Sequence, residues 1–212
     1  MKNPELITAD DLNVWPDKDA RDAQENFPLL IRHLLLNTPG VSAVSARAGN
    51  GVNEPGYDGF AQLDEAVSVL PSGSLRFEFG TNKDIGAKAT DDYRKRVKQD
   101  DAASHVFVFA TPRRWSGKDK WLEEQRSEGK FANVWALDAD DLEAWLETSP
   151  SSHYWISEHL GKQPDEAQTL EQWWNDFHQV TQLELPLSMF TAGREPNRDT
   201  LRELLAEAPR TI

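Results

Sequence analysis

Apolar and polar positions along the chain alternate between helical and strand-like spacing. Phe27, Leu30, Ile31, Leu34 and Leu35 recur at helical intervals, which predicts an amphipathic helix over 19–36. Pro28 starts its second half or kinks it, and Asn37-Thr38-Pro39-Gly40 ends it. Asp10 or Asp11 is placed to cap a shorter helix before it. Segments 41–46, 57–63 and 75–80 read as strands, separated by the Gly-rich stretch 48–56 and the turn residues Pro71-Ser72-Gly73-Ser74. A helix is predicted over 85–98. The continuous apolar run within 104–110 is typical of a strand covered on both faces. A helix over 118–128, a strand over 133–137 and a helix capped near Asp138 and running to about 147 continue the alternation. This order predicts an α/β fold with a mixed β-sheet core flanked by helices. From 151 onward the pattern is helical, over 154–160 and over 170–180 with Trp173 and Trp174. An irregular apolar stretch, 183–192, then leads to an amphipathic helix over 197–206 with Leu201, Leu204 and Leu205 on one side.

Composition narrows the class. The chain has 212 residues, 38% of them hydrophobic, and eight Trp, enough for a packed core. It has no Cys, which removes disulfide scaffolds, thiolate metal sites and cysteine nucleophiles. No apolar run approaches the ~18 residues that would span a membrane. Met1-Lys2-Asn3-Pro4-Glu5 has no apolar segment behind it and does not read as a signal peptide. No membrane partner is expected, and the expected compartment is the cytoplasm. The net charge of −13 argues against a polyanion partner, but its distribution modifies that reading. Residues 1–70 carry a net −6 and residues 131–212 a net −10, whereas 71–130 carry +3 from 13 basic and 10 acidic groups. The middle third is where a phosphate backbone would be tolerated.

That third also holds the candidate chemistry. On a strand over 75–80, Leu75, Phe77 and Phe79 share one face, and Arg76, Glu78 and Gly80 the other. The first face is core. The second sets a carboxylate beside a glycine that leaves space next to it. Asp58, between Gly56 and Gly59, opens the preceding strand where another backbone or a ligand can approach. If the two strands are neighbours, Asp58 and Glu78 converge, and two close carboxylates repel unless a divalent cation joins them. A nearby Lys would complete a site for phosphoryl transfer. Lys88, on one helix face with Asp92 and Arg96, is the first choice, and Lys83 in the preceding loop the second. Arg94, Lys95, Arg96 and Lys98 form a basic run that is either a solvated helix face or a phosphate contact. Arg47 and Arg113-Arg114 are similar but weaker candidates for nucleic-acid binding. Other signals fail: Ser116-Gly117-Lys118 is not a phosphate-binding loop, and His153 and His159 lack metal-ligand spacing.

The order of elements, with Asp58 opening one strand and Glu78 within the next, resembles the PD-(D/E)xK restriction-endonuclease-like superfamily, especially its Mrr-like branch. More specifically, Gly51-Val52-Asn53-Glu54-Pro55-Gly56-Tyr57-Asp58-Gly59, Phe77-Glu78-Phe79-Gly80-Thr81-Asn82 and Lys88-Ala89-Thr90-Asp91-Asp92-Tyr93-Arg94-Lys95-Arg96 resemble the amino-terminal nuclease domains of bacterial antiviral STAND ATPases. The likeness covers roughly residues 8–150. It departs at Gly80, where the superfamily usually carries its Lys; some members move that Lys to the following helix, where Lys88 lies. The resemblance implies a restriction-endonuclease-like domain over 1–150 and a helical C-terminal extension over 151–212. That extension would lead toward ATPase and sensor domains beyond this chain. It further implies a Mg2+-dependent (Mn2+ possible) endonuclease of antiphage defence. In that enzyme Asp58 and Glu78 hold the metal, Lys88 or Lys83 completes catalysis, DNA is the substrate, and activation comes through homo-oligomerisation. Weak cleavage by the isolated domain is the corresponding expectation. Two other readings stay open: a degenerate nuclease fold that senses nucleic acid or binds protein, and an acidic adaptor whose helical tail docks another domain.

Overall fold

Thr8 begins the first helix. Its hydroxyl accepts from the Asp11 backbone while the Asp11 carboxylate accepts from the Thr8 N–H, a reciprocal capping box. The structure is a computed structural model and describes residues 6–46, 56–67, 69–99 and 101–162, with positions 173, 174, 177, 193, 197 and 200. The cap of α1 (Ala9–Lys18) is therefore Thr8 rather than Asp10 or Asp11; Asp11 is the residue that reaches back. Asp19 caps α2 (Ala20–Leu36), and Pro28 lies buried within that one continuous helix. The strands are β1 (Val41–Ala46), β2 (Gly59–Leu63), β3 (Gly73–Phe79), β4 (Val106–Ala110) and β5 (Asn133–Leu137). Between and after them come α3 (Ile85–Arg96), α4 (Lys118–Ser127), α5 (Ala139–Glu147) and α6 (Pro150–His159).

Among the described residues these elements make a mixed α/β fold with one five-stranded sheet and six α-helices. The strands lie in sequence order. β1, β2 and β3 run antiparallel, and β3, β4 and β5 parallel. Parallel neighbours need crossovers, which α3 and α4 provide. All five residues of β4 are buried, as its unbroken apolar run requires. Its alternate side chains enter two separate cores. Val106, Val108 and Ala110 join Leu75, Phe77 and Phe79 against α1, α2, α5 and α6. Phe107 and Phe109 join Ile85, Ala89 and Tyr93 of α3 and Trp121 and Leu122 of α4. The parallel register Phe77↔Val108 and Glu78↔Phe109 keeps this parity across the β3–β4 pair.

The first compact unit runs from Met1 to Asp165, beyond the boundary expected at 150. The reason is α6: Ile156 is fully buried in the first core, and the His153 ring donates to the Ile7 carbonyl at 3.0 Å. In the second unit, Glu166–Ile212, the Trp173 ring stacks on Phe177 with centroids 5.5 Å apart. Leu201, Leu204 and Leu205 lie outside the described residues. No helix among the described residues is long and apolar enough to cross a membrane.

Candidate active site

The site is built where β2 and β3 meet. Gly59 pairs with Phe77 in the antiparallel register, which sets Asp58 opposite Glu78. Asp58 is tied to β3 on both sides of that glutamate. Its N–H donates to the Phe77 carbonyl at 3.0 Å, and its Oδ2 accepts from the Phe79 N–H at 2.9 Å. Glu78 points away from the first core and is 2% exposed. The strand expected from 57 begins at Gly59, so Asp58 lies one residue before β2 and Glu78 within the adjacent β3.

Helix α3 closes over this pair with a stripe of ionisable residues. Ile85, Ala89 and Tyr93 recur every four residues and enter the second core, whereas Lys88, Asp92 and Arg96 form a neighbouring stripe with the same interval. Arg96, 3% exposed, donates Nε to Glu78 Oε1 and Nη2 to the Gly56 carbonyl. Its guanidinium carbon lies 4.6 Å from the Tyr57 ring centroid. One buried cation thus binds the glutamate and the segment that delivers Asp58. The Lys88 Nζ donates to Asp92 Oδ1 at 3.0 Å. It also lies 2.9 Å from Asp92 Oδ2, a buried oxygen that no donor among the described residues approaches with hydrogen-bond geometry, so that second contact is electrostatic only. The stem of Lys88 crosses Gly80: a β-carbon there would sit 3.1 Å from Lys88 Cγ and 2.6 Å from Phe109 Cζ. Glycine at 80 is what admits this lysine to the β3 surface.

Burial dominates the electrostatics. It pushes the Glu78 carboxyl up to about 7, helped by the charge of Asp58 and opposed by Arg96. Burial likewise raises Asp58 above the ordinary carboxylate range, against the Phe79 hydrogen bond and the charge of Lys88. Asp92 raises both. Tyr57 is pushed up to about 12, again by burial, and its hydroxyl has no hydrogen-bond partner among the described residues. Three carboxylates, Asp58, Glu78 and Asp92, face two cations, Lys88 and Arg96, so the ionised cluster has one negative charge in excess. Among the described residues no group of three or more acidic or histidine side chains is positioned to hold a metal by itself. Asp58 and Glu78 alone would supply two hard oxygen donors. That suits Mg2+, which commonly takes one or two carboxylates and completes its shell with water and phosphate oxygens.

The structure thus brings Asp58, Glu78 and Lys88 to one place and leaves Lys83 out. Lys83 extends toward α1, where it meets Asp17 at 3.4 Å with an exposed side chain. Arg96 is also not a surface phosphate contact, since it is buried in the Glu78 pair. Arg94, Lys95 and Lys98 are exposed. Arg113 is buried and binds the Thr81 carbonyl and Asp17, and Arg114 pairs with Asp10 and Asp140. Arg47 lies outside the described residues. Asp92 and Tyr57 join the site without having been singled out from sequence, although the interval 88–92–96 carried the signal for Asp92. The chain matches no protein-family model, no curated protein and no solved structure.

Proposed function

We propose that this chain is a metal-dependent nuclease domain of restriction-endonuclease-like architecture, with its active site at Asp58, Glu78 and Lys88. The observation that carries the reading is the convergence of these three groups: a carboxylate one residue before β2, a second within the adjacent β3, and a lysine whose stem lies over Gly80. Mg2+ or Mn2+ held by Asp58 and Glu78 would supply Lewis acidity for hydrolysis of a phosphodiester in DNA. The chain's own residues do the rest. Asp58 is fixed by the Phe79 N–H, so its free oxygen has a defined direction. Arg96 offsets the cost of burying Glu78 and fixes its orientation. Lys88 offers positive charge to the phosphoryl oxygens as negative charge builds on them, once it exchanges Asp92 for substrate. The cytoplasm is the compartment in which DNA of an invading phage would be met, and assembly within a larger protein would place two such sites on one target.

A second reading is favoured by one observation. Both cations of the cluster are already paired, Arg96 to Glu78 and Lys88 to Asp92. A site closed in this way suits a nuclease fold that has lost catalysis and serves in nucleic-acid sensing or protein interaction. Incubation of supercoiled plasmid with the protein in Mg2+, Mn2+ or EDTA separates the two. The nuclease reading expects nicking or linearisation that requires the metal and falls at least about a hundredfold in Asp58→Asn and Lys88→Met. Cleavage that persists in EDTA contradicts the metal-dependent reading, and no cleavage at any protein concentration favours the second.

A further inference from the structure

Next to Asp58 the sheet surface carries a second feature, which the carboxylate pair does not use. Ser45, Tyr57, Asp58, Gly59, Phe60 and Arg76 line an open depression of about 230 Å3. Phe60 and Arg76 are directly paired across β2 and β3, so their side chains rise from the same face. The Arg76 guanidinium carbon lies 4.4 Å from the Phe60 ring centroid. Among the described residues no carboxylate closes an ion pair with Arg76. Asp101 feels its charge but is bound to His105 instead. The result is a guanidinium held against an aromatic ring, without an acidic ion-pair partner among the described residues, at the rim of a depression that shares Asp58 with the candidate site.

We infer that this depression is a subsite for an unpaired nucleotide, in which Arg76 takes a backbone phosphate and the adjoining base packs on the apolar lining that Phe60 and Tyr57 contribute. The inference rests on the nuclease reading for what happens at Asp58, but it concerns binding and stands or falls separately. Three physical points support it. Arginine's planar fork matches the oxygens of a phosphate, and its seat on Phe60 restricts the rotamers it would otherwise lose on binding. A base within a duplex shows only its edges, whereas an unpaired base offers a face that can pack on an aromatic wall. A duplex needs a broad basic surface to offset two phosphate strands, and this chain has a net charge of −13 with one arginine at the depression that forms no ion pair among the described residues. A single strand or a frayed end makes a smaller electrostatic demand.

The experiment is equilibrium binding by fluorescence anisotropy, using the full 212-residue chain in EDTA, where no metal-dependent cleavage occurs. The probes are a labelled oligonucleotide as a single strand and the same sequence as a blunt duplex. The expected result is tighter binding of the single strand. Arg76→Gln should weaken it about tenfold and flatten the dependence of log K on log salt by about 0.7, the value for one single-strand phosphate contact. Phe60→Leu should weaken it with little change in that slope, and circular dichroism checks that both variants are folded. Preference for the duplex, an affinity indifferent to Arg76→Gln, or no binding of either probe by the wild type overturns the inference. Metal-dependent cleavage that persists in Arg76→Gln with unchanged single-strand affinity would sink this subsite and leave the nuclease reading standing. Arg76-dependent single-strand binding without cleavage would do the reverse.

Discussion

Glu78 is subject to two opposed demands. Burial and the neighbouring Asp58 favour its neutral form, and Arg96 favours its charged one. Burial prevails, and the carboxyl titrates at about 7 in the folded protein, against an ordinary value of 4.5. The folded state therefore binds more protons than the unfolded state between these values. Stability from this group is fully present below the unfolded value and is lost as pH rises through about 7. Glu78→Gln should flatten the fall in melting temperature between about pH 5 and pH 7.5. Thermal unfolding at several pH values checks this, and a slope equal to that of the wild type would contradict it. The glutamate's setting was partly legible in sequence. Strand parity places Glu78 opposite the greasy face, and Gly80 two residues on marks a cleared surface. An ion pair with Arg76 or a helix cation was legible as an alternative, but which cation was not, because Arg96 sits in a run of cations that composition alone assigns to solvent. Only the helical phase, fixed by packing Ile85, Ala89 and Tyr93, turns Arg96 inward while Arg94 and Lys95 stay exposed.

At the scale of the element, α3 serves two surfaces at once. One stripe holds it to β4 and β5 through the second core, and the adjacent stripe delivers Lys88 and Arg96 to β3. The close passage of Lys88 over Gly80 links these roles. Gly80→Ala would press a methyl group into Phe109, so either the ring or α3 must shift. We expect a destabilisation of about 1–3 kcal/mol in urea unfolding, the usual range for overpacking. Wild-type stability in that variant would show that the contact yields freely and that glycine at 80 has no steric role. The same geometry explains why the helix, rather than position 80, presents the lysine. A side chain emerging from residue 80 would meet Phe109 before it reached Glu78. The sequence did indicate the spacing of Lys88, Asp92 and Arg96. It did not indicate that Lys83, nearer to Glu78 in sequence, extends to Asp17 on the other side of the strand–helix loop.

At the scale of the molecule, the alternation of elements gave a mixed sheet with helical cover, since each apolar run was long enough to define one strand or one helix, but not the order of the strands within it. The domain boundary was less visible. Residues 150–159 have little amphipathic contrast, and only the burial of Ile156 and the His153 bond to Ile7 show that α6 completes the first unit. Charge is the other property of this scale. An acidic protein keeps phosphate at a distance unless a cation intervenes, and the candidate cluster has one carboxylate more than its own cations neutralise. A shared divalent ion would remove that excess and join the two strands at once. Equilibrium titration with Mn2+, read by electron paramagnetic resonance of the free ion, measures this directly. One ion per chain is the expected result, lost alike in Asp58→Asn and Glu78→Gln while both variants remain folded. A wild type that takes up no Mn2+, or an affinity that neither substitution changes, would contradict a metal site at Asp58 and Glu78.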